Sequence, residues 1–129
     1  MRDFRKYTIW QDAIKVANQI YSLTATFPAS ELYGLSNQLQ RAAVSISSNI
    51  AEGASRTSPV EYAHFLEIAI GSAFEVETQL TISLLRHYIE TETYNKMISQ
   101  LQSIERRINT LINKLRAYGQ GNSQSQGQS

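Results

Sequence analysis

The chain has 129 residues and a mass of 14.6 kDa, with 42% hydrophobic residues, 18% charged residues and a formal net charge of +1. That length suits one domain with a real core, and the near-zero charge exerts no global pull on nucleic acid. The absence of cysteine excludes a disulfide framework, a thiolate metal site and a Cys nucleophile. The opening MRDFRKYTIW has no apolar h-region and no apolar run nears about eighteen residues, so no signal peptide or membrane span is expected, and a cytoplasmic location is.

The first predicted helix covers about residues 9–27. Trp10, Ala13, Ala17, Ile20, Thr24 and Phe27 recur at alternating spacings of three and four, the seam of a packed helix. Ile9, Val16 and Leu23 lie beside that seam on one side, Ile14 and Tyr21 on the other. Such a wide apolar arc exceeds what one core needs. Ile9, Val16 and Leu23 are therefore expected at an interface between subunits.

Phe27-Pro28 ends this helix, because proline disfavours a helical residue before it. A second helix is predicted over 35–52, with Leu35, Leu39, Ala42, Ala43, Ile46 and Ile50 inward, and Gly53 is expected to stop it in the left-handed conformation. Ser58 then reads as an N-cap, with Pro59 at the first helical position and Glu61 completing a capping box. The third helix spans 59–88, with Tyr62, Leu66, Ala69, Ala73, Val76, Leu80 and Leu84 inward. The fourth spans 93–118 and keeps the same alternation from Met97 to Tyr118. Residues 119–129 hold no apolar side chain and are expected to be disordered. No segment alternates at period two. With short connections, the reading is an all-α, antiparallel up-down-up-down four-helix bundle over residues 1–118.

The run RAAVSISSNIAEGASRTSP (Arg41 to Pro59) concentrates the small side chains. Folding the second helix against the third places Ala42 level with Ala69 and Ala43 close to Gly71, a tight helix contact in which serine hydroxyls bond locally. Asn49 and Glu52 are placed to bond the following loop or the first amides of the third helix.

The runs QLQRAAVSISSNIAEGASR and FLEIAIGSAFEVETQL, with a Trp10 helix before them and FP-x-x-E-x-YGL (Phe27 to Leu35), resemble the four-helix-bundle family encoded in intervening sequences of bacterial 23S rRNA genes. The accessory proteins of diversity-generating retroelements are relatives of that family. The resemblance covers everything except the tail, and Asn49, Glu52, Gly53, Gly71 and Glu75 lie in its motifs. It implies a ring-like homopentamer. In the retroelement relatives the pentamer binds nucleic acid and a reverse transcriptase, so RNA or DNA and a protein of that kind are the partners implied.

Constellations for chemistry are sparse. Glu61 and His64 form one Glu-x-x-His, half of what a carboxylate-bridged di-iron bundle takes, and Glu61 is already used by the cap. No Ser-His-Asp order, phosphate loop or nucleotide fingerprint occurs, so no enzyme, metal or cofactor is expected. Glu75 and Glu77 are expected to pair with Arg106 and Arg107. His87, beside Arg86 near a helix end, suits the favourable interaction of cations with that pole. Charge does have a direction. The end holding the N-terminus, the second loop and the close of the fourth helix carries Arg2, Arg5, Lys6, Lys15, Arg56, Lys114 and Arg116 against Asp3, Asp12, Glu52 and Glu61, a net +3, while the opposite end nets −2. Of these, Arg2, Arg5, Lys6, Arg56, Lys114 and Arg116 are the candidate phosphate contacts. The alternative is an adaptor oligomer that binds a protein and no nucleic acid.

Overall fold

Helix starts and stops set the frame. The computed structural model describes the backbone of residues 2–128 and the side chains of residues 2–119. Ser58 is extended at φ −82°, ψ 130°, and its hydroxyl accepts the Glu61 amide at 3.4 Å with Pro59 as the first helical residue, as the sequence predicts. The helices are α1 (Thr8–Thr24), α2 (Leu35–Ala54), α3 (Pro59–Leu85) and α4 (Thr91–Gln128), with 3₁₀ turns at Phe4–Lys6 and Ala29–Glu31 and no strand among the described residues. The backbone of α4 runs on as helix through Gln128, where a disordered tail from residue 119 is expected from the sequence.

Each helix packs against its chain neighbour, and α1 closes the set against α4. Ile20, Leu39, Ile46, Leu66, Leu80 and Ile104 are among the largest side chains taken wholly out of water. Each such burial is worth about 1.5–3 kcal/mol, so the packed interior, rather than helix propensity, holds the fold.

Three local expectations change. First, α1 ends at Thr24, not Phe27: the Thr24 hydroxyl donates back to the Ile20 carbonyl at 2.8 Å, and the Thr26 and Phe27 amides close a tighter turn on Leu23 and Thr24. Phe27 stays buried, its ring 5.3 Å from Tyr88. Second, Gly53 does not stop α2 by a positive φ, for no described glycine has one. It lies within the helix, where an added Cβ would fall 2.9 Å from Tyr62 Cδ1 and 3.0 Å from Phe65 Cβ. Its smallness lets α3 approach. Third, the left-handed residue is His87, at φ 62°. Its amide donates to Leu84 O and the Tyr88 amide to Ser83 O, the paired bonds that close a Schellman motif.

The α2 start has no side-chain cap at Gly34. Glu31 does that work instead: Oε1 accepts the Leu35 amide at 3.3 Å, and Oε2 accepts the Tyr88 hydroxyl at 2.9 Å. Phe27 and Glu31, two fixed points of the FP-x-x-E-x-YGL run, thus both meet Tyr88, while Glu31 also holds the Leu35 amide.

Candidate functional site

The cations predicted to face phosphate are largely spent inside the chain. Arg2 donates through Nη1 to the carbonyls of Ala54 (3.4 Å) and Arg56 (2.5 Å) and lies 4.7 Å over the Tyr62 ring. It closes the last turn of α2, where carbonyls have no helical partner and a cation is favoured. Arg56 donates to Glu52 Oε1 at 2.5 Å and lies over Phe65. Arg5 pairs with Asp3 at 3.5 Å and covers Phe4, and Arg116 pairs with Glu67. Lys6 and Lys114 make no ion pair among the described residues. Burial, aided by neighbouring Tyr7, pushes the Tyr62 phenol above its ordinary pKa, while Arg2 pulls the other way.

The signature polar residues also bond locally. Asn49 donates to the Ser45 carbonyl at 2.8 Å, and Glu52 goes to Arg56 rather than to the α3 amides. Ser45 meets Ser72 across the α2–α3 contact at 2.8 Å, and small Ala42, Ala43, Ala69 and Ala73 are buried, but the register differs from the expected one: with Ser45 opposite Ser72, Ala42 stands level with Glu75 rather than with Ala69. Gly71 does not belong to it. Nothing lies within 4 Å of where its Cβ would be, and it faces outward. Beside Ser45 and Ser72, Arg41 and Glu75 line a shallow cavity of about 430 Å³ without making an ion pair. Glu61 serves the cap through its backbone amide alone, with no return bond from its carboxylate to Ser58, and among the described residues no three of His, Asp and Glu converge.

The arginines of α4 take partners other than those expected. Arg107 donates to Asp12 at 2.7 Å and to the Thr8 hydroxyl at 3.2 Å, on α1 rather than on α3. Glu105 is the residue turned toward Glu77. Burial first, then the adjacent Glu77 carboxyl, push its pKa up to about 8, against the opposing pull of Arg106. The expected height along the bundle is right, but the facing is wrong. Successive helical residues are about 100° apart, so 105 and 107 point to different neighbours.

The proposed subunit interface on α1 is corrected as well. Ile9 and Val16 are only 7% and 1% exposed and lie in the chain's own core, with half-buried Leu23 packed against it. The buried arc of α1 is centred on Ile9, Ala13, Val16 and Ile20, which turns the other flank outward. There Ile14 and Tyr21 are exposed and, with Phe4, Trp10 and Val44, line an apolar groove of about 500 Å³ between α1 and α2.

The sequence reading missed a larger feature on α3. Behind its buried seam, Ile68, Gly71, Glu75, Thr78, Ile82 and Leu85 repeat the three-four alternation on the outward side, with Phe74 54% exposed beside them. Two apolar faces make α3 long and apolar enough to cross a membrane by length and composition, although it supplies core residues throughout. The signal was in the sequence, since no Lys or Arg occurs from Pro59 to Leu85.

No curated protein matches the chain. Among solved structures it is similar to a protein of unknown function from the S23 ribosomal protein family of Bacteroides thetaiotaomicron. The two are 23% identical, the match covers 81% of this chain and 97% of that one, and the TM-score is 0.73. The profile of the family described as 23S rRNA-intervening sequence protein matches residues 5–110, all of α1, α2 and α3 and the first half of α4. The chain belongs to that family of 23S rRNA-intervening sequence proteins.

Proposed function

We propose that the protein is a non-enzymatic interaction module of the cytoplasm: an antiparallel up-down-up-down bundle that assembles with copies of itself into a ring and presents the assembled surface to a protein partner. Five members is the number the family resemblance implies. The observation that carries this reading is the exposed apolar surface left after the core is complete, above all the outward side of α3. Single exposed hydrophobics are ordinary on a monomer, whereas a contiguous row marks an interaction site. Sedimentation of the whole chain at micromolar concentration tests it. A mass several times 14.6 kDa is expected; a monomer overturns the reading.

A second reading, nucleic-acid binding at the basic end, keeps Lys6 and Lys114 as its support, because neither is neutralised among the described residues. Titration with structured RNA and duplex DNA at two salt concentrations separates the two. Phosphate contacts make log affinity fall with log salt by about 0.9 per contact. Loss of a measurable salt slope on Lys6→Ala with Lys114→Ala would support nucleic acid. No binding at low salt leaves the protein-partner reading standing alone.

A further inference from the structure

We propose that the outward face of α3 docks into the α1–α2 groove of a second copy of this chain. This rests on the assembly reading above and names the surfaces that carry it. Helix α3 has 27 residues, about 40 Å at 1.5 Å per residue, and its outward row from Ile68 to Leu85 covers about 26 Å of it. Its four acids are glutamates, with no cation among them. An anionic bilayer surface or a nucleic acid would be repelled by such a helix, and burying its glutamates in hydrocarbon is costly. The occupant is protein.

The chain itself supplies the complement. Thr24 bonds Gln40 at 3.0 Å and Ser45 bonds Ser72, which fixes relative heights along α1, α2 and α3. With antiparallel neighbours, Tyr21, Val44 and Phe74 stand at one level, and Ile14 stands level with Ile68. At the far end, exposed Leu32 and Tyr33 stand level with Leu85. Rotation about an axis parallel to the helices changes no height. Side-by-side copies therefore bring Ile68, Phe74 and Leu85 of the outward face opposite apolar residues of the neighbouring α1–α2 face. The same register brings Glu75 level with Arg41, two groups that share a cavity within the chain yet make no ion pair there. Gly71 leaves the row open at its centre, where a neighbouring side chain can seat. The two surfaces differ, so the contact is head-to-tail and propagates around a ring.

Phe74→Glu spoils the ridge and Val44→Glu spoils the groove. Each variant alone should sediment near the monomer mass while keeping its helical circular dichroism. Mixed in equal amounts they should form a dimer and nothing larger, because one intact ridge then meets one intact groove. Gly71→Gln, whose side chain points into open space and improves helix propensity, must also reduce assembly. If wild type is oligomeric but Phe74→Glu or Gly71→Gln keeps its mass, this docking is wrong and the assembly reading survives. If Val44→Glu dimerises by itself and mixing adds nothing, the contact is α3 on α3. If wild type binds phosphatidylcholine vesicles and Phe74→Glu does not, the face is for lipid and the docking is overturned. A monomeric wild type would defeat the assembly reading and this docking with it.

Discussion

The contact of α2 with α3 and the outward side of α3 hold one signature glycine each, and the two glycines have opposite surroundings. Gly53 sits under Tyr62 and Phe65 with no room for a methyl group, while Gly71 faces open space. One lets two helices of the same chain approach; the other leaves a gap that nothing in the chain fills. A glycine in a motif therefore states a requirement for space without saying whose atoms need it, and only burial on each side distinguishes packing within a chain from packing between chains.

The sharpest way to break this contrast is Gly53→Ala. Its methyl would press on Tyr62 Cδ1, Phe65 Cβ and the Tyr62 carbonyl, and overpacking of this kind costs about 1–3 kcal/mol. The urea midpoint should fall accordingly with little change in slope. A neutral result would mean that α2 and α3 separate easily, and that their close contact is not what the small residues are for.

A smaller effect is expected on the other inward side of α3, where Glu105 of α4 meets Glu77. The Glu105 carboxyl titrates near 8 when folded, against 4.5 for the ordinary group, so between those values the native state holds more proton than the unfolded chain. Stability should therefore fall as pH rises from about 5 to about 8. Glu105→Gln should remove that slope and raise stability at pH 8.5 more than at pH 5.5, measured by urea unfolding at both. An unchanged slope would show that the two carboxyls do not share a proton.

The smallest change belongs to the outward glycine. In the monomeric Phe74→Glu background, Gly71→Ala should stabilise by about 0.5–1 kcal/mol, because alanine loses less backbone entropy in a helix interior and meets no neighbour. Destabilisation there would place an unseen intrachain constraint on Gly71 and remove the contrast with Gly53.

Much of the fold was legible because period and punctuation agreed: four apolar repeats and a Ser-Pro start at Ser58 and Pro59. Facing was harder. In α1 five of the six seam residues are buried, but Ile9 and Val16 join them while Trp10 is only half-buried, so the core arc is turned by about one helical step from the expected seam. In α3 the inward seam is the stronger signal and masks the outward one, although 27 residues without a single Lys or Arg point to a second apolar face. Which cations of the basic end are already paired was illegible for another reason. Formal charges can be summed from a sequence, but whether Arg2 meets water or the carbonyl of Ala54 depends on a loop 52 positions away.

That separation also has a consequence in time. At about 5–20 residues per second, some 3–10 s of synthesis pass between Arg2 and the carbonyl of Ala54 that it will hold. Its ring partner Tyr62 comes later still. Until then the amino-terminal arm can be held only by α1, through Phe4 against Trp10 and the Gln11 side-chain amide on the Arg5 carbonyl. Its closure marks the moment when α2 is complete and the first turn of α3 has left the ribosome, so the arm acts as a late clasp on an early helix.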